Sequence, residues 1–251
     1  MPTSSPPATP AASLPSAVQQ ALDDLLAAAR ESFAGNLRSV VLFGSAAEGQ
    51  LRATSDVNLI IVLARFDPAQ SASFRGALQL ATAAIRASVM FLLEQEIDAA
   101  VDAFAVKFAD IARRRRVLAG DDVFAGRSPS RESLTRRARQ TLLNLELRLR
   151  ERVVRAGRDE ARLTLAAAEA TGPLRAIAAA IADLEGRPAA SPKAALAALV
   201  AGWPEPAWPG VLEQISEARR TRALPPGTAA DTVLGIIAMA DRLQQRLEEL
   251  T

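Results

Sequence analysis

Two short segments of this sequence carry residue types that could hold a phosphate and a metal ion. The first is Gly44-Ser45, which follows an apolar β-rich run. Glycine lets the backbone approach a ligand closely, and the hydroxyl and amide of Ser45 at a helix start suit an anion. The second is residues 55–58, at the start of another apolar strand. Because alternate strand residues share a face, Asp56 and Asn58 point the same way and could reach one metal site.

The composition excludes several other kinds of chemistry. The 251 residues contain no cysteine and no histidine. Disulfides, thiolate zinc sites, cysteine nucleophiles, Ser-His triads and histidine metal ligands are therefore all excluded. Lys107 and Lys193 are the only lysines, and arginine supplies the remaining 28 cations. The sequence pI of 9.8 overstates how basic the chain is, since its formal net charge is only +2.

The expected location is cytoplasmic, without a membrane span. No apolar run reaches the ~18 residues that a spanning helix needs, and the N-terminus does not resemble a signal peptide. Residues 1–15 contain five prolines together with Ser, Thr and Ala, which predicts a disordered tail.

Residues 16–126 predict a mixed α/β domain. Apolar spacing predicts a helix over 16–33, strands over 38–43 and 56–63, a helix over 71–85 and a strand over 88–93. Further strands are predicted over 103–108 and, as a short edge strand, at 117–118. Ser45-Ala46-Ala47-Glu48 has the spacing of a capping box, in which the Glu48 carboxylate would compete with an incoming phosphate for the same amides.

Residues 127–251 predict helices only. Apolar residues recur every three or four positions after the Ser128-Pro129 helix start, which indicates a long amphipathic helix. Further helices are predicted at about 159–185, 191–201, 208–222 and 229–249. Helices without strands form a bundle.

The segment from residue 40 to 62 resembles the nucleotidyltransferase superfamily that includes polymerase β and kanamycin nucleotidyltransferase. The resemblance is carried by Leu42-Phe43-Gly44-Ser45, by Gly49 and by Ser55-Asp56-Val57-Asn58-Leu59, and extends over roughly 20–125. It implies a nucleotidyltransferase-like mixed sheet flanked by helices. An all-α domain after it fits the bacterial aminoglycoside-modifying type.

The resemblance also implies a reaction and its residues. A nucleoside triphosphate would be attacked at its α-phosphorus, with two Mg²⁺ ions held by three carboxylates. Gly44, Ser45 and Ser55 would then bind the nucleotide, and Asp56 would be the first metal ligand. Asn58 stands where the second acid is expected. Lys107 is the expected equivalent of the third, with Asp102 and Asp110 as alternatives.

These departures predict a weakened catalytic site. An ammonium group about 4 Å from Asp56 would attract it by ~4 kcal/mol at an effective dielectric near 20 and would repel a divalent ion about twice as strongly. We therefore expect an Asp56–Lys107 ion pair in the place of a metal. The double reversion Asn58→Asp with Lys107→Glu is the corresponding test.

Two other features each admit two interpretations. Residues 113–116 are all arginine, and residues 127–158 hold ten arginines against three glutamates. This region could bind an anionic partner such as nucleic acid, or it could be a solvated helix face. Trp203 and Trp208 could stack on a base or sugar, or could pin a loop to the helical core.

Three functions remain open from the sequence. The first is a catalytically degenerate nucleotidyltransferase-fold protein, a pseudoenzyme with weak or no nucleotide binding. The second is an active enzyme that uses Asp56, Asn58 and one metal ion to transfer a nucleoside monophosphate from an NTP to a small hydroxylated acceptor. The third is a scaffold whose helical half binds a protein partner.

Overall fold

The structure is a computed structural model and describes residues 14–51, 55–204 and 208–250. Most of the predicted tail therefore lies outside the described residues. The fold is a four-stranded mixed sheet with flanking helices, followed by a helical region, which confirms the predicted fold class. The chain divides into two compact units. One comprises the residues up to Ile97 together with Ile111–Gly126, and the other comprises Asp98–Asp110 and the residues from Arg127 onward.

The first unit is built on the sheet. Its elements are α1 (Ser16–Phe33), β1 (Leu37–Phe43), β2 (Val57–Leu63), α2 (Pro68–Ile85), β3 (Ala87–Leu93) and β4 (Arg115–Gly120). The strand order is β3-β2-β1-β4, with β2 parallel to β3 and β1 antiparallel to both β2 and β4. The predicted short edge strand is therefore a full strand, β4.

The sheet is held by apolar packing on the face that α1 and α2 cover. Alternate residues of β2 on this face, including Leu59 and Ile61, are buried against apolar residues of both helices. Phe33 of α1 and Phe74 of α2 meet there with ring centroids 5.1 Å apart. Asp67 starts α2 by accepting hydrogen bonds from the backbone amides of the next turn, with Pro68 in the first helical position. Every residue of β2 except Asn58 is buried, and its nearly continuous apolar run is that of a central strand.

The strand predicted over 103–108 is wrong. This segment spans the end of α3 (Ile97–Ala103) and the beginning of α4 (Ala105–Arg113). Ala105, Val106 and Ala109 pack into the core of the helical unit, and the spacing from 105 to 109 is one helical turn. Five of the six residues in 103–108 are apolar, and a short apolar run does not by itself distinguish a strand from a buried helix. Lys107 therefore lies on a helix.

The second unit is helical, as predicted. It contains α5 (Arg131–Ala156), α6 (Glu160–Leu184), α7 (Pro192–Ala201), α8 (Trp208–Thr221) and α9 (Ala229–Glu249). By length and composition, α6 is apolar enough to cross a membrane. However, 72% of its most apolar 18-residue stretch is buried inside the structure. Such burial is that of the core helix of a bundle.

The two tryptophans are part of the packing of this unit. Trp208 is buried in the helical core, and Trp203 packs against that core. Their rings lie 5.3 Å apart at 71°, an edge-to-face contact. Of the two interpretations that the sequence allowed, this arrangement matches the one in which the tryptophans pin a loop to the helical core. Residues 205–207, between them, lie outside the described residues.

Candidate functional site

One end of the sheet gathers the candidate site residues of the first unit. β1 ends here, and the antiparallel strands β2 and β4 begin here beside it. β3 also begins here because it is parallel to β2. In this register Asn58 lies opposite Phe43 on one side and Ser88 on the other. The face of the sheet that carries Asn58 is the one opposite α1 and α2.

The Gly44-Ser45 segment forms a single 3-10 turn, Gly44–Ala46. Gly44 has a φ of +75°, which favours glycine because a Cβ is strained in that region. Its N–H donates to the carbonyl of Arg114, the residue before β4, at 2.9 Å. The first amides of the turn, those of Ser45 and Ala46, have no partner within a turn of this kind. They are the groups that an anion could use.

The predicted capping box is wrong. No side chain caps this turn. The Glu48 carboxylate instead pairs with Arg114 at 3.1 Å, and both side chains are mostly buried. Arg114, which directly precedes β4 and is distant in sequence, binds this carboxylate in place of the local backbone amides. The expected competition between Glu48 and a phosphate for the turn therefore does not arise.

Asp56 precedes β2 and is held by an arginine. Its Oδ1 accepts a hydrogen bond from Arg86 Nε at 2.8 Å, and both side chains are about half exposed. Arg86 ends α2 and directly precedes β3, so the parallel register of β2 and β3 brings it beside Asp56. The cation that the structure places on Asp56 is thus Arg86, where the sequence predicted Lys107.

Asn58 turns its amide toward the backbone of the same segment. Its Nδ2 donates to the Asp56 carbonyl at 3.3 Å. The strand next to β2 on this side is β3, and its residue in register with Asn58 is the exposed Ser88. A third acid on the neighbouring strand would therefore be expected at Ser88, and serine carries no charge.

The assignment of the third acid to Lys107 depended on the incorrect strand. Lys107 lies on α4, in the helical unit, and partial burial lowers its pKa. Of the alternatives, Asp102 accepts a hydrogen bond from Ser133 Oγ and pairs with Arg136 at 3.4 Å within that same unit. Asp110 lies on α4.

Sequence reasoning missed Arg86 and Ser88, although a signal for both was present. A strand, helix and strand in succession predict a right-handed crossover with parallel strands. Parallel strands begin at the same end of a sheet, so the start of β3 must lie near the start of β2. Applied to residues 56–93, this rule would have placed Arg86 and Ser88 next to Asp56 and Asn58.

Arginine–carboxylate pairs recur in the first unit. Besides Arg86–Asp56 and Arg114–Glu48, Arg115 at the start of β4 pairs at 2.8 Å with Asp122, which follows the far end of that strand. The hydrogen bond from Arg115 lowers the pKa of Asp122 against a smaller opposing effect of burial. The 114–115 part of the arginine run is thus partly buried and paired.

The Arg115–Asp122 pair predicts a pH-dependent stability. An acid whose pKa is lower in the folded state stabilises the fold above its unfolded pKa and loses that contribution as the pH falls through the folded pKa. We expect Asp122→Asn to unfold at lower urea concentration than wild type at pH 7. The difference should shrink as the pH falls below about 4. Asp121→Asn, which removes an adjacent exposed carboxylate, is the control, and an equal pH-dependent loss there would contradict the assignment.

The residues at this end of the sheet do not fit a pair of Mg²⁺ ions. Mg²⁺ prefers several hard oxygen ligands, mainly carboxylates. Here Asp56 is the only carboxylate in the row formed with Asn58 and Ser88, and it is already paired. Among residues 14–51, 55–204 and 208–250, no group of three or more acidic side chains could hold a metal ion. A guanidinium about 4 Å away would also repel a divalent ion by ~2 kcal/mol even at the dielectric constant of water.

Several arginines of α5 are paired with carboxylates as well. Arg136, Arg150, Arg152 and Arg155 each form an ion pair with a nearby carboxylate. Most of these side chains are half exposed or more, as on a solvated helix face. This pattern favours the second of the two interpretations of the arginine-rich region.

Comparison with known proteins supports the fold. No family model matches the chain, and no curated protein matches it. Among solved structures, the chain is similar to spectinomycin adenyltransferase AAD(9) from Enterococcus faecialis with ATP and spectinomycin. The TM-score is 0.56 at 12% sequence identity, and the match covers 92% of this chain and 99% of the other. The chain therefore has the fold of a nucleotidyltransferase.

Proposed function

We propose that this protein is a nucleotidyltransferase-fold pseudoenzyme that has lost two-metal nucleotidyl transfer. The observation that carries the proposal is the row at the start of β2 and β3, where Asp56 is the single carboxylate and is paired with Arg86. Asn58 and Ser88 occupy the positions beside it. The row therefore has one negative charge, and that charge is already balanced.

The chemistry explains why this loss matters. In-line attack on an α-phosphorus places negative charge on the attacking and leaving oxygens, and two metal ions normally stabilise both. Neutral Asn58 and Ser88 offer oxygens without the charge that draws divalent ions out of water. Arg86 can neutralise Asp56, but its fixed position cannot replace two ions that bridge nucleophile, phosphate and protein. Efficient transfer is therefore not expected.

Nucleotide binding is a separable part of the proposal. Gly44 and Ser45, with Ser55 across the sheet end, are the proposed contacts for the phosphates of an NTP. Support comes from the turn geometry, in which the Ser45 and Ala46 amides have no partner within the turn. A rise in melting temperature with ATP or GTP would indicate residual binding. No rise with any NTP would favour the scaffold function, in which the helical half binds a protein partner.

An active enzyme is the second candidate. The similarity to an adenyltransferase solved with ATP and spectinomycin runs over nearly the whole of both chains, sheet and helices together. On this reading one Mg²⁺ ion would be held by Asp56 and Asn58, and a small hydroxylated or aminoglycoside-like acceptor would accept the nucleoside monophosphate. Binding of this Mg²⁺ ion would require that Arg86 be displaced from Asp56.

Pyrophosphate release distinguishes these candidates. The full-length protein would be incubated with each of the four NTPs, Mg²⁺ or Mn²⁺, and spectinomycin or another aminoglycoside. We expect no pyrophosphate above the background of an Asp56→Ala variant. Release that requires the acceptor, the metal and Asp56 together would overturn the pseudoenzyme proposal in favour of the active enzyme.

A further inference from the structure

We propose that Arg86 supplies the positive charge beside Asp56 and that its guanidinium keeps divalent metal ions away from this carboxylate. The inference goes beyond lost catalysis, because it assigns a specific residue to the exclusion of metal. It rests on the proposed function in one respect only, namely that the wild-type site does not work with a bound metal ion.

The contact itself is direct. Arg86 Nε lies 2.8 Å from Asp56 Oδ1, the oxygen that a metal would need. The peptide groups are connected too, since the Val57 N–H donates to the Arg86 carbonyl at 3.3 Å. Arg86 is therefore fixed to the start of β2 through both its backbone and its side chain. A metal ion at Asp56 would meet a cation that the sheet itself holds in place.

The backbone of Arg86 adds an independent observation. Arg86 caps the C-terminal end of α2 in the left-handed conformation, with φ 54° and ψ 42°. Glycine or asparagine is the usual residue there, because a larger side chain is strained in this region. This left-handed turn joins the end of α2 directly to the start of β3 and brings the Arg86 side chain beside Asp56. An ion pair in which both side chains are about half exposed contributes little to stability, so stability is a poor explanation for it.

A second carboxylate at this end of the sheet is held in the same way. Asp56 pairs with Arg86, and Glu48 pairs with Arg114. An end of a sheet that collects carboxylates would attract divalent ions if the arginines were absent. Of the two arginines, Arg86 holds the carboxylate beside Asn58, where a metal site would have to form.

Metal titration of matched variants tests this role. Mn²⁺ binding would be measured by paramagnetic resonance for the wild type, Asn58→Asp, Asn58→Asp with Arg86→Gln, and Asn58→Asp with Arg75→Gln. Arg75 is an exposed arginine on the same helix and serves as the charge-matched control. We expect no saturable binding by wild type. The Arg86 double variant should bind at least tenfold more tightly than Asn58→Asp alone, and the Arg75 double variant should equal Asn58→Asp.

Two results would overturn the inference. Asn58→Asp could bind Mn²⁺ as tightly as its Arg86 double variant, or no variant could bind at all. Arg86→Gly replaces Arg86→Gln if the latter does not fold, because glycine favours the left-handed conformation of this position. Pyrophosphate release by the wild type would instead overturn the proposed function. If the wild type releases no pyrophosphate, and Asn58→Asp binds Mn²⁺ as tightly with Arg86→Gln as without it, only the role of Arg86 would be overturned.

Discussion

The triple variant Asn58→Asp, Ser88→Glu and Arg86→Gln is expected to gain saturable, Mg²⁺-dependent binding of ATP that the wild type lacks. The three changes add two carboxylates and remove one cation around Asp56. At about 4 Å and the dielectric constant of water, each unit charge changes the energy of a divalent ion by ~2 kcal/mol, or ~30-fold in Kd. Allowing for incomplete additivity, a gain of at least 100-fold is expected. Isothermal titration calorimetry with and without Mg²⁺ measures it.

The matched comparison is the variant Asn58→Asp with Lys107→Glu, which the sequence alone suggested. It also adds two carboxylates and removes one cation, so its total charge change is the same. The two differ in position, since Ser88 is the partner of Asn58 in the β2–β3 register and Lys107 lies on α4. We expect no comparable gain from the Lys107 variant. If both variants gained equal affinity, the assignment of the third position to Ser88 would be wrong.

The sequence was sufficient for the elements that have a clear period. The helices of the second unit and strands β1, β2 and β3 lie within a few residues of their predicted limits, since each has a long apolar repeat or a clear boundary. The Gly-Ser turn and the shared face of Asp56 and Asn58 could also be predicted from the sequence, because both depend on residues close in sequence. Local patterns were reliable where a local cause determined the structure.

The parts that failed were determined by distant residues. The segment 103–108 is short and mostly apolar, and only its packing against the helical core distinguishes a helix from a strand there. Glu48 has the spacing of a capping residue, yet its carboxylate pairs with Arg114, just before β4. Arg86 reaches Asp56 through the parallel register of β2 and β3, which can be predicted only when the strand, helix and strand of residues 56–93 are considered together. Each error came from a contact between residues remote in sequence.

Gly120→Ala is expected to be the most destabilising single substitution at the sheet. Gly120 ends β4 opposite Ser39 of β1, with a φ of +71°. A Cβ at this position would lie 1.9 Å from the Arg38 carbonyl oxygen and 2.8 Å from its carbonyl carbon. These are backbone atoms of β1, so no side chain can rotate to relieve the overlap. Conformational strain of ~1–2 kcal/mol adds to an overpacking cost of ~1–3 kcal/mol, which predicts a loss of about 2–5 kcal/mol.

Gly126→Ala separates the two contributions to this loss. Gly126 has nearly the same φ, +70°, but a Cβ there would meet nothing within 4 Å. Its substitution should cost only the conformational strain, about 1 kcal/mol. The buried Ser39 hydroxyl, which donates to the Asp121 carbonyl at 2.7 Å, shows how closely the β4 end approaches β1. Urea unfolding of both variants measures the difference, and equal losses would mean that strain alone, without steric overlap, explains the need for glycine at 120.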